Sequence, residues 1–99
     1  MLGLKISVEY LGHIKNLIGN RREEEIEIRD GSTMADLLTM LSEKYGSSFT
    51  KAVYEPSGSD MKSNFIATVN GYLLNQLKGI YTKLKDGDRV TLMPIVSGG

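Results

Sequence analysis

Apolar and polar residues alternate at the start of the chain. Leu4, Ile6, Val8 and Tyr10 are separated by Lys5, Ser7 and Glu9, the two-residue period of a strand with one buried face. A second alternation runs through residues 23–29, with Ile26 and Ile28 facing in and Glu25 and Glu27 facing out. Residues 11–22 read as a turn region, because Gly12, Gly19 and Asn20 argue against a long helix and leave room for one helical turn over residues 13–18. The two strands are expected to form a hairpin.

The period then changes. After the turn Asp30-Gly31-Ser32, Thr33 is a natural N-cap whose hydroxyl can accept from the N–H of Asp36, an acid well placed near the positive helix end. Met34, Leu37, Leu38, Leu41 and Tyr45 follow at i, i+3, i+4, i+7 and i+11, the apolar stripe of an amphipathic helix that packs on the sheet, and Gly46 is the expected stop. Residues 47–55 predict a short second helix with Phe49, Ala52 and Val53 inward, and residues 56–60 a loop. Residues 65–69 read as a strand, Asn70-Gly71 as a hairpin turn, and Tyr72-Leu73-Leu74 as the short returning strand. A crossing over residues 77–84 leads to the last strand, where Val90 and Leu92 alternate with Arg89, Thr91 and Met93. Asp86-Gly87-Asp88 before it is turn chemistry, the aspartates bonding their own backbone, and Pro94 after it blunts further ladder pairing. The order strand, strand, helix, strand, short strand, strand predicts an α+β domain with one main helix over a sheet of four to five strands. Periodicity leaves the strand order open.

Composition removes several classes of function. Ninety-nine residues make one domain. Twelve basic and twelve acidic side chains cancel, so no overall field favours nucleic acid or an acidic membrane surface. Without cysteine there is no disulfide, thiolate nucleophile or sulfur-ligated metal. The single histidine, His13, has no second ligand to share a metal and is expected to be solvent-exposed. No apolar run approaches the roughly 20 residues of a membrane span and the N-terminus is no signal peptide, so the expectation is a cytoplasmic protein. No Gly-rich phosphate loop occurs, so the chain itself is not expected to bind ATP. Asp86 and Asp88 are explained by their turn, the run Glu23-Glu24-Glu25-Ile26-Glu27 by a solvated strand face, and the lysines, Lys44 among them, by a solvated surface.

What remains is Ile95-Val96-Ser97-Gly98-Gly99. Residues without Cβ make the thinnest backbone available, so Gly98 and Gly99 suit a terminus threaded through a narrow channel of a partner enzyme. The reactive group is then the α-carboxylate of Gly99, activated elsewhere. Gly98 and Ser97 form a slim neck, and Pro94, Ile95 and Val96 an apolar docking segment. The expected division is a domain over residues 1–94 and a flexible tail over residues 95–99.

The run Leu84-Lys85-Asp86-Gly87-Asp88, a strand, Pro94 and a final Gly98-Gly99 resembles the ubiquitin-like sulfur carriers, meaning the molybdopterin synthase small subunit and its archaeal small-modifier relatives. The likeness extends to the helix and to Val69-Asn70-Gly71. It departs at Tyr10-Leu11, where the family often has Phe, which bears on docking there and not on the tail. The segment over residues 47–64 sets the chain apart from the shorter thiamin-pathway carriers. The resemblance implies a β-grasp fold with first and last strands parallel at its centre. It also implies a ubiquitin-activating-like adenylating enzyme that uses ATP and Mg²⁺ to convert Gly99 to an acyl-adenylate and then a thiocarboxylate. Two fates follow: sulfur transfer within the large subunit of molybdopterin synthase, in molybdenum cofactor biosynthesis, or an isopeptide bond to lysines of target proteins. In both, the chain is carrier and not catalyst. A third reading, an interaction module without terminal chemistry, requires the two glycines to be accidental.

Overall fold

The alternating runs become strands of one mixed sheet. The computed structural model describes residues 3–19, 22–54, 61–62 and 65–94. The elements are β1 (Gly3–Tyr10), a 3₁₀ segment (Gly12–Ile18), β2 (Glu23–Arg29), α1 (Met34–Tyr45), α2 (Ser47–Val53), β3 (Phe65–Val69), β4 (Tyr72–Leu73), short 3₁₀ turns at Leu74–Gln76 and Gly79–Tyr81, and β5 (Arg89–Pro94). The sheet order is β2-β1-β5-β3-β4. β1 and β5 run parallel, with Val8 beside Val90 and Tyr10 beside Leu92, and the other pairings are antiparallel. The central parallel pair implied by the resemblance is present, and the architecture is the α+β β-grasp.

Residues in register share a face of the sheet. Ile6, Val8, Tyr10, Ile26, Ile28, Val90, Leu92, Phe65 and Ala67 therefore form one inner surface, closed by Met34, Leu37, Leu38 and Leu41 of α1 and by Phe49 and Val53 of α2. The predicted helix stripe is buried but for Tyr45, which is half-buried, as is Ala52 of α2. The short helical turn expected between β1 and β2 is present, and one expectation, on Leu74, is corrected. The region between β1 and β2 is a seven-residue 3₁₀ segment that buries Ile14 and Ile18, with Gly12 and Gly19 at its ends at φ of 73° and 78°. Leu74 does not extend β4 but opens a 3₁₀ turn and enters the core. The side chain of His13 and the loop over residues 56–60 lie outside the described residues.

The predicted cap is a full capping box. The Thr33 hydroxyl accepts from the Asp36 N–H at 3.3 Å, and the Asp36 carboxylate accepts from the Thr33 N–H at 2.8 Å. Thr33→Ala is expected to destabilise the protein by about 1 kcal/mol, with Thr33→Ser restoring most of it. Thermal melts of the three proteins check this, and equal midpoints for the wild type and Thr33→Ala would refute it.

Candidate functional site at the end of the last strand

β5 carries the tail, and its two ends are fixed differently. At its start, Asn70 (φ 53°) and Gly71 (φ 88°) form the predicted tight turn. The Asn70 side chain donates to Asp88 at 2.9 Å and accepts from the Arg89 N–H at 2.9 Å. Asp88 also accepts from the Lys85 N–H at 2.7 Å, as its turn chemistry predicts. Asp86 differs from expectation, since it accepts from the N–H of Lys5 on β1 at 2.8 Å and so ties the turn to the first strand.

At its far end, β5 lies between β1 and β3. The Leu11 N–H donates to the Leu92 carbonyl at 2.9 Å, and Pro94 stands opposite Phe65. Pro94 is buried. It had been expected to begin an exposed docking segment; instead it is the last inner-face position of the strand and plugs the end of the core. Gly12 lies against it, where a Cβ would sit 3.6 Å from the Pro94 carbonyl oxygen. Ile95, Val96, Ser97, Gly98 and Gly99 lie outside the described residues, so the structure fixes the root of the tail.

Next to that root is a polar cluster that the acidic run concealed. Glu24 shares the inner-face parity of Ile26 and Ile28 and is buried. One carboxylate oxygen accepts from the Tyr10 and Tyr45 hydroxyls, each at 2.7 Å, and the other from the Lys44 ammonium at 3.1 Å. Burial pushes the Glu24 carboxyl up, but the bonds from Tyr10, Tyr45 and Lys44 together outweigh it and hold the group below the usual carboxylate range. Burial and the carboxylate beside it push the Tyr10 phenol far up, so it stays protonated. The bond to Glu24 raises Lys44. Lys44 is therefore an ion-pair partner and not merely surface. The cluster joins the C-terminal turn of α1 to β1 and β2 where Tyr10 lies beside Leu92. The signal was available in the two-residue parity and in two tyrosines at apolar positions.

On the outer face, Arg89 pairs with Glu9 at 3.8 Å and Glu23 at 3.3 Å; such half-exposed pairs contribute little. Among the described residues no group of three His, Cys, Asp or Glu is placed to hold a metal ion. Among the described residues near the root, Tyr10, Tyr45 and Lys44 are all bonded to Glu24. The arrangement anchors the end of the last described strand from both sides.

The comparisons agree with this geometry. The molybdopterin synthase sulfur carrier subunit of Mycobacterium tuberculosis is 27% identical over 96 residues, covering 97% of this chain and 99% of that protein. The solution structure of the Haloferax volcanii HVO 2177 protein superposes with a TM-score of 0.81 at 25% identity, covering 98% of this chain and 88% of that one. The small archaeal modifier protein 1 of Methanosarcina acetivorans has the same fold, with a TM-score of 0.80 at 21% identity and all of both chains covered. The ThiS family profile matches residues 8–99, from the middle of β1 through the tail, and the chain belongs to that family.

Proposed function

We propose that the chain is a sulfur carrier whose Gly99 is converted to a C-terminal thiocarboxylate and that it donates this sulfur in molybdopterin synthesis. The observation that carries the reading is the tail: Gly98-Gly99 ends a segment rooted at Pro94 on the central strand of the sheet. The name of the Mycobacterium tuberculosis relative supports the pathway.

A carboxylate is a poor electrophile, so activation comes first. A Gly99 oxygen attacks the α-phosphate of ATP on an adenylating partner, pyrophosphate leaves, and an acyl-adenylate forms. Hydrosulfide from a sulfur donor adds to the Gly99 carbonyl carbon, AMP departs with the electron pair of the C–O bond, a proton is lost, and the thiocarboxylate remains. Mg²⁺ and ATP belong to the partner, in the cytoplasm. The neck Ser97-Gly98 passes the narrow channel, and Ile95 and Val96 dock at its mouth. A second enzyme, the large subunit of the synthase, then receives the sulfur. No helix among the described residues is long and apolar enough to cross a membrane.

The test is mass spectrometry on the chain recovered from its native host. Replacing oxygen by sulfur adds about 16 mass units, the same nominal gain as one methionine oxidation, so fragmentation must place the shift on Gly99. Sulfur on Gly99 supports the proposal. Lysines of other proteins bearing the tryptic remnant that follows Arg89 would instead make the chain a protein modifier. An unaltered Gly99 without such remnants would remove both readings.

A further inference from the structure

A concavity away from the root of the tail lies along the segment that runs from the first of the two short 3₁₀ turns to the turn before β5. Leu77, Lys78, Tyr81, Thr82, Lys83 and Lys85 line an open cleft of about 590 Å³. Its backbone is braced. The Thr82 hydroxyl donates to the Gly79 carbonyl at 2.7 Å and accepts from the Lys78 N–H at 3.0 Å, and the Leu84 N–H donates to the Ser32 carbonyl. Thr82 and Leu84 are buried, which holds the side chains between and beside them outward. Two large apolar groups stay in water, Leu77 at 38% and Tyr81 at 73% exposure.

The rim is cationic. Among the described residues, no carboxylate lies within ion-pair distance of Lys78, Lys83 or Lys85. The acids of the adjoining turn are engaged elsewhere, Asp86 with the Lys5 N–H and Asp88 with the Lys85 N–H and Asn70. An apolar floor between unpaired cations matches a segment with the reverse charge and an apolar anchor. We propose that this cleft docks an acidic segment of a partner protein, with carboxylates against Lys78, Lys83 and Lys85 and a large apolar side chain against Leu77 and Tyr81.

Charge and geometry select this occupant. Nucleic acid calls for a broader basic field and successive stacking rings, whereas the chain is neutral overall and the cleft has one aromatic ring. The acidic stripe of a second copy is less suited, because Glu23 is paired with Arg89 and Glu27 stands opposite Lys5 on the neighbouring strand. Lys85 of the cleft lies in the turn that precedes β5, its N–H bonded to Asp88, while residues 95–99 follow the far end of that strand, six residues at roughly 3.3 Å each away. A partner held in the cleft therefore leaves the tail free to enter an enzyme.

The experiment is a heteronuclear NMR titration of the full chain with a short peptide that alternates Glu and Leu around one Phe. Shifts are expected at residues 76–85, weakening as sodium chloride rises. The triple variant Lys78→Glu, Lys83→Glu, Lys85→Glu is expected to lose about tenfold in affinity with an unchanged melting temperature, since all three side chains are exposed. A chain lacking Gly99 should bind the peptide equally, which separates this proposal from the carrier reading. Four results would overturn it: no shifts at millimolar peptide, equal binding of a peptide with Gln for Glu, tighter binding of oligothymidylate at the same residues, or the same shifts on raising protein concentration alone, which would mark self-association.

Discussion

Deleting Gly99 is expected to abolish acyl-adenylate formation by the adenylating partner while leaving the melting temperature unchanged. One residue of extended chain spans about 3.3–3.6 Å. A misplacement of about 1 Å at a reacting centre already costs on the order of 10²-fold, so withdrawing the carboxylate by a whole residue takes the reaction below detection. Adding one glycine displaces it as far the other way. Neither change touches the core, whose buried apolar residues run from Leu4 to Leu92. Pyrophosphate release with the purified adenylating enzyme, ATP and Mg²⁺ is the measurement, with a thermal melt beside it. A shortened chain that still released pyrophosphate would show that Gly99 is not the activated residue.

Glu24→Gln is expected to be the most damaging substitution outside the hydrophobic core, by about 3 kcal/mol at neutral pH. Three charge-assisted bonds converge on that carboxylate, and such bonds contribute about 1.5–3 kcal/mol each before the burial of the charge is set against them. Lys44 adds the least, because its side chain is 48% exposed and can return to water. The buried Tyr10 hydroxyl adds more, because it loses its charged acceptor without reaching solvent. The pH dependence follows from the direction of the shift. Glu24 is held below the ordinary carboxylate value of about 4.3, so its stabilisation is complete above that value and is lost as pH falls through its folded one. Urea midpoints of the wild type and Glu24→Gln should therefore converge on acidification. A gap as wide at pH 3 as at pH 7 would mean that the charge contributes nothing and that only packing was lost.

Features set by neighbours along the chain are legible in the sequence alone. The two-residue period of β1, the helical stripe of α1, the Thr33 N-cap and the Asn70-Gly71 turn each depend on a few consecutive residues, and each is in place. The strand order depends on pairing Ser7 with Arg89 and Tyr10 with Leu92, partners at the two ends of the chain, and no local period encodes that. It came from the resemblance. Gly12 and Gly19 bound the expected helical turn, but its buried face is not legible in the sequence, because Ile14 and Ile18 alone are too few to reveal it. Glu24 was hidden by its neighbours: in a run of acids, one carboxylate turned inward looks like the rest until Tyr10, Lys44 and Tyr45 are seen converging on it. Asp86 was assigned to its own turn because its partner, the Lys5 N–H, lies on the first strand. The proposed role of Gly99 rests on sequence chemistry alone, and the described structure reaches as far as the strand that ends at Pro94.

The position of β5 also determines how the molecule bears force. If the proposed carrier reading holds, an enzyme that draws in the chain beyond Pro94 would pull along the axis of β5. That strand is bonded on both sides, to β1 and to β3, by bonds that lie across the pull. Loaded this way the two ladders act in shear, and many bonds must fail together before the strand slides, whereas an edge strand can be peeled one pair at a time. Asn70 and Asp88 add a latch at the end remote from the pull. A pull applied beyond Pro94 would thus be carried first into β1 and β3 while the sheet holds.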